Sequence, residues 1–162
     1  MKPEELEKIL KEKFGENIFS TKIPENKRLF IKINGDIVED FATFLKENGF
    51  DMPITMGATD FLKQKRIEIF YAIWSSTHDF VVFFKYDVPR DNPVIKSLVK
   101  IWSGVQKFER ETWELMGVDI EGHPNLKPLL LPEDWDYEKE GYPLRKDFNV
   151  NRYMSPWGDE KQ

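Results

Sequence analysis

Ile67-Glu68-Ile69-Phe70-Tyr71-Ala72-Ile73-Trp74, then Ser75-Ser76-Thr77-His78-Asp79, then Phe80-Val81-Val82-Phe83-Phe84-Lys85-Tyr86, is the stretch that decides the fold. Two runs rich in β-branched and aromatic residues are separated by a short polar segment, the pattern of a β-hairpin. Their nearly continuous apolar character predicts central strands covered on at least one face. His78 falls in the turn with no second His and no Cys nearby, so it reads as a turn residue and not as a metal ligand.

Upstream of the hairpin, the chain opens on a helix. Pro3 suits the first helical position, Glu4 and Glu5 complement the helix dipole, and Gly15 can end it. Leu6, Ile9, Leu10 and Phe14 form one apolar stripe, which is core packing. Two short strands follow, Ile18 to Ile23 and Leu29 to Ile33, joined by a turn at Pro24-Glu25-Asn26. Asn34-Gly35 closes the second strand, and Asp36 with Glu39 has the spacing of a capping box for a helix through Asn48. The β-rich stretch runs from Ile54 to Val88.

Downstream, helical periodicity is predicted from Asn92 to Gly117, with Leu98, Ile101, Val105, Phe108, Thr112 and Leu115 on one face and a break at Ser103-Gly104. After residue 123 periodicity vanishes, and half of the ten prolines lie there. Such a segment cannot easily build its own core. It nonetheless carries Leu129, Leu130, Leu131, Trp135, Tyr142 and Leu144, together with Phe148, Tyr153 and Trp157, and large apolar groups in such a setting mark an interaction site. The expected organisation is an α+β domain over 1–123, a mixed β-sheet with flanking helices, and an extended docking tail over 124–162.

Composition excludes several functions. The 162 residues contain no cysteine and two histidines, so disulfides, iron–sulfur ligation and ordinary structural zinc sites are not expected in this chain. No run approaches the roughly 18 apolar residues of a membrane span. The Met1-Lys2-Pro3-Glu4-Glu5-Leu6 start lacks a signal-peptide core, which predicts a cytoplasmic chain whose membrane contact comes only through partners. With a net charge of −5 and interspersed lysines, nucleic-acid binding is not expected. The one-third charged, cysteine-free composition suits a thermophile, and equally suits plain surface solvation.

The most specific feature is Glu109-Arg110-Glu111, with Trp113, Glu114, Leu115 and Met116 following and His123-Pro124 beyond Gly122. Together with Tyr142-Pro143-Leu144-Arg145-Lys146-Asp147 this spaced pattern resembles the small peripheral-arm subunit of respiratory complex I (NADH:quinone oxidoreductase) and of related archaeal membrane-bound hydrogenase and sulfur-reducing complexes. On residue types alone, Lys107–Glu111 and Arg110–Glu114 are i,i+4 pairs of a solvated helix, worth about 0.2–0.5 kcal/mol each.

The resemblance implies a cofactor-free scaffold subunit. Its partners would be the hydrogenase-like large subunit and iron–sulfur subunits of a multisubunit complex at the cytoplasmic face of the cell membrane, with the clusters held by those neighbours. The partner-binding set it implies is Glu109, Arg110, Glu111, Trp113, His123, Pro124, Trp135, Arg145, Lys146 and Asp147. Glu109, on the border of the apolar stripe, then calls for an arginine from the neighbouring subunit. Two other classes stay open: a free-standing binding module, and a small enzyme using Glu109, Glu111 and His123, although acid–base work needs a pocket with separated pKa values.

Overall fold

The computed structural model describes residues 1–24 and 27–152. The predicted hairpin forms from β4 (Arg66–Ser75) and β5 (Phe80–Pro89), paired antiparallel along their full lengths. Alternation along both strands sends Ile67, Ile69, Tyr71 and Ile73 to one face with Val82, Phe84 and Tyr86, all buried. β3 (Met52–Phe61) adds to β4, while β2 (Arg28–Ile33) adds to β5 in parallel and β1 (Ile18–Lys22) pairs antiparallel with β2. The sheet is therefore mixed, in the order β1-β2-β5-β4-β3. Of the β1–β2 turn, Glu25 and Asn26 lie outside the described residues.

Helices cover the inner face of this sheet. α1 (Pro3–Phe14) begins with the Lys2 N–H donating to Glu5, ends at Gly15 (φ +50°), and buries Leu6 and Leu10. α2 (Val38–Glu47) buries Phe41, Ala42 and Leu45. It is preceded by a 3-10 turn that Asn34 caps by accepting from the Asp36 N–H, so the helix starts later than the Asp36/Glu39 spacing implies. Glu39 is free to pair with Lys96 instead, at 2.6 Å. These helices, the inner strand residues, Trp102 and Val105 share one apolar core.

The predicted helix over 92–117 is shorter than its periodicity suggests. Val94–Lys96 form β6, in parallel with β7 (Asp119–Glu121), and buried Ile95 lies opposite Ile120. Residues 97–102 make a single turn in which the Leu98 carbonyl accepts from the Ile101 and Trp102 N–H groups. The Trp102 indole N–H donates to the Phe50 carbonyl at 2.8 Å. Short apolar runs satisfy helix and strand patterns alike, and here pairing with a strand twenty-odd residues downstream decides. The true helix is α3 (Gln106–Met116).

Beyond β7, the described part of the C-terminal segment holds only the one-turn helix α4 (Tyr137–Glu140) and a 3-10 turn at Val150–Arg152. Tyr153 and Trp157 of the expected docking tail lie outside the described residues. Among the described residues no helix is long and apolar enough to cross a membrane.

Candidate functional site: a helix that clasps the C-terminal segment

α3 carries the charged motif, and its i,i+4 geometry places Arg110 and Glu114 on one face. They do not pair with each other. Glu114 is fully buried and accepts three consecutive backbone N–H groups, from Leu129 (3.0 Å), Leu130 (2.9 Å) and Leu131 (2.8 Å). One turn earlier, the Arg110 guanidinium donates to the Lys127 and Pro128 carbonyls at 3.0 and 2.8 Å. A cation thus holds two carbonyls and an anion holds the next three amides. This neutralises the backbone polarity of residues 127–131 without a strand partner.

The C-terminal end of α3 supplies a second hold. Gly117 ends the helix at φ +65°, and a Cβ there would lie 2.5 Å from the Tyr142 ring, so both backbone and packing require glycine. Arg145 donates from Nε to the Met116 carbonyl at 2.8 Å and from Nη2 to that of Gly117 at 3.3 Å, and it lies over the Tyr142 ring. A cation here also complements the negative end of the helix dipole. The Leu144 N–H donates to the Leu115 carbonyl, and Tyr137 packs between Trp113 and Tyr142. The Trp135 indole N–H closes onto the Gly141 carbonyl.

A third hold joins the segment to the sheet. Buried Asp60 on β3 receives a bidentate contact from Arg90, at 2.7 and 3.0 Å, and the Lys146 N–H at 2.8 Å. Arg90 also donates to Asp147 at 2.7 Å. The guanidinium holds the Asp60 carboxyl below the usual carboxylate range.

Glu109 faces the other way, into the domain. It is fully buried and accepts from the Ser97 hydroxyl (2.6 Å) and the Leu98 N–H (2.7 Å). Burial raises its pKa, an effect these donors only partly offset. Its donors come from the turn after β6, not from the arginine of a neighbour. The Tyr71 and Tyr86 hydroxyls are buried nearby, and burial raises both. His123 bridges Gln106 and Asn125: its Nε2 faces the Gln106 carbonyl and its Nδ1 accepts from the Asn125 N–H, which assigns the proton to Nε2.

The structure gathers Arg110, Trp113, His123, Trp135, Arg145 and the Lys146-Asp147 pair around this clasp. Glu111 and Pro124 are exposed and outside it. Sequence reasoning takes Glu114 for half of a surface ion pair and passes over Asp60 and Arg90. The available signal for Glu114 is its place in the spaced motif, since nothing within 127–131 announces three amides in need of an acceptor. Among the described residues no three His, Asp or Glu side chains gather as metal ligands.

Residues 31–154 match the family described as respiratory-chain NADH dehydrogenase, 30 Kd subunit, and the chain belongs to that family. It is 35% identical over 137 residues to the C subunit of the F(420)H(2) dehydrogenase of Methanosarcina mazei, covering 84% of this chain and 85% of that protein. It is 34% identical over 123 residues to the C subunit of the NADH-quinone oxidoreductase of a Roseiflexus species, covering 74% of this chain and 68% of that one. A chain of the membrane-bound sulfane sulfur reductase, an archaeal respiratory membrane complex, superposes with a TM-score of 0.81 at 24% identity, covering 98% of this chain and 96% of that one. A trypsin-resistant fragment of Nqo5 gives 0.64 at 21%, covering 75% of this chain and 98% of the fragment. At these identities the two structures establish the fold. Family membership makes this an electron-transport protein related to complex I.

Proposed function

We propose that this chain is a structural subunit, holding no cofactor of its own, of a complex-I-like membrane-bound redox complex. In this reading it packs on a hydrogenase-like large subunit, beside iron–sulfur subunits, at the cytoplasmic face of the membrane. Electrons pass through those neighbours, and the coupled ion translocation takes place in integral membrane subunits. The observation that carries the reading is the clasp. α3 commits Arg110 and buried Glu114 to shaping residues 127–131 and its C-terminal carbonyls to holding Arg145, and the shaped segment turns Leu130 and Leu144 outward at 60% and 53% exposure. Apolar groups held rigidly in water are the anchor geometry of an interface. Arg110, Trp113, His123, Trp135 and Arg145 then serve docking by shaping the docked segment.

The enzyme alternative requires Glu109, Glu111 and His123 to share a cleft. Glu109 is buried and committed to Ser97 and Leu98, whereas Glu111 is in solvent, so no observation favours it. The test is purification of the tagged chain from its source, with mass spectrometry of the co-purifying subunits. Hydrogen exchange then compares the free and the assembled chain. The expected result is co-purification with a hydrogenase-like large subunit and slowed exchange around Leu130 and Leu144 in the assembly. A lone chain with stoichiometric metal or intrinsic redox turnover overturns the proposal.

A further inference from the structure

The face of the sheet turned away from the helices presents a second surface, unrelated to the clasp. By register, the outward side chains of β2, β5 and β4 include Phe30, Phe83, Phe70, Trp74 and Val81, all half-buried. Phe30 and Phe83 stack at 4.6 Å with a 5° interplanar angle. Among the described residues no helix packs over them, because the helices share their core with the opposite face. Two clefts open here and meet at Phe30 and Lys85. One of about 530 Å³ runs beside β1 past Lys22 and Arg28, and one of about 260 Å³ lies over Phe70 and Phe83.

The charge on this face is opposite to that of the whole. The outward positions carry five cations, Lys22, Arg28, Lys32, Arg66 and Lys85, against two carboxylates, Glu68 and Asp87, in a chain of net charge −5. Three of the cations share those carboxylates: Lys32 and Arg66 reach Asp87 at 2.6 and 2.7 Å, and Lys85 reaches Glu68 at 3.0 Å. Lys22 and Arg28, which border the larger cleft, have no carboxylate partner among the described residues.

We infer that this face docks an acidic segment of another subunit, its carboxylates on Lys22 and Arg28 and its aliphatic or aromatic side chains on the Phe30–Phe83 floor. Electrostatic complementarity selects the occupant. A second copy of this chain would bring one basic face against another. An anionic lipid surface would meet Glu68 and Asp87 amid the cations, and aromatics recessed in a cleft do not insert among acyl chains as an interfacial anchor does. The inference rests on the chain's being a subunit of a complex, but on a face separate from the clasp.

The test uses the full-length chain in its assembled complex. A photo-crosslinking benzoylphenylalanine replaces Phe83, with a control at exposed Lys8, and Lys22→Glu with Arg28→Glu reverses the unpaired charge. The expected adduct is to a co-purifying subunit, within a segment rich in Asp and Glu. The double reversal should lower recovery of that subunit at least tenfold, with unchanged thermal melting of the isolated chain. An adduct to residues 153–162, to a second copy or to lipid overturns the inference. So does binding to phosphatidylglycerol vesicles that the reversal abolishes. If subunits co-purify but Phe83 gives no adduct, this inference fails and the proposed function stands. If nothing co-purifies, both fail.

Discussion

At the residue scale, the two buried acids of opposite environment, Glu109 and Asp60, make opposite contributions to pH dependence. Burial raises the pKa of Glu109, so the folded state binds a proton that the unfolded chain releases. Stability therefore falls as pH rises from the ordinary carboxylate range through the raised value. Asp60 is the reverse case: Arg90 depresses it, so its contribution is present above the ordinary carboxylate pKa and lost as pH falls through the lowered one. Glu109→Gln should flatten the decline in denaturant stability as pH rises above the ordinary carboxylate range, and Asp60→Asn should flatten the acid limb. Identical pH profiles for wild type and Glu109→Gln would show that the buried carboxyl titrates as it does in water. Glu114 is a different kind of acid, since its three donors all belong to the backbone of the C-terminal segment. Charge-assisted bonds of this kind are worth about 1.5–3 kcal/mol. Glu114→Ala should accordingly speed hydrogen exchange at Leu129–Leu131 by roughly tenfold to a hundredfold while the sheet amides keep their protection.

At the scale of elements, α3 works as a clasp only because it stops where it does. Gly117→Ala places an L-residue at φ +65° and a methyl group inside the Tyr142 ring. The backbone strain alone costs roughly 1–2 kcal/mol, and the overlap must push Tyr142 off the helix end. The variant should lose the Tyr142 and Arg145 contacts together, seen as faster exchange across 142–146. If only the melting temperature falls and these amides stay protected, the ring accommodates the methyl group elsewhere. The element boundaries show where sequence reading succeeds. The β4–β5 hairpin, α1 and β2 are legible because each forms from adjacent residues whose apolar period follows its burial, Ile9 of α1 excepted at 38% exposure. The β6–β7 pair is not, because Ile95 and Ile120 acquire strand geometry only from each other.

At the scale of the whole molecule, the buried apolar core among the described residues ends at Ile120, and the C-terminal segment adds holds on its rim. A chain ended after residue 127 should keep a cooperative thermal transition and its sheet, while failing to assemble with partner subunits. Loss of the transition would make the segment part of the folding unit. The sequence by itself determined the α+β class, the central hairpin, the family and which charged motif matters, since periodicity and residue spacing are properties of the chain. Only the tertiary structure decided what the motif's charges do. Glu109 turns inward to Ser97 and Leu98, Glu114 and Arg110 turn to residues 127–131, and Arg145 closes the end of α3. Backbone amides and carbonyls are present at every position, so a sequence carries no mark of which of them a distant side chain will need to satisfy. Folding alone brings the two together.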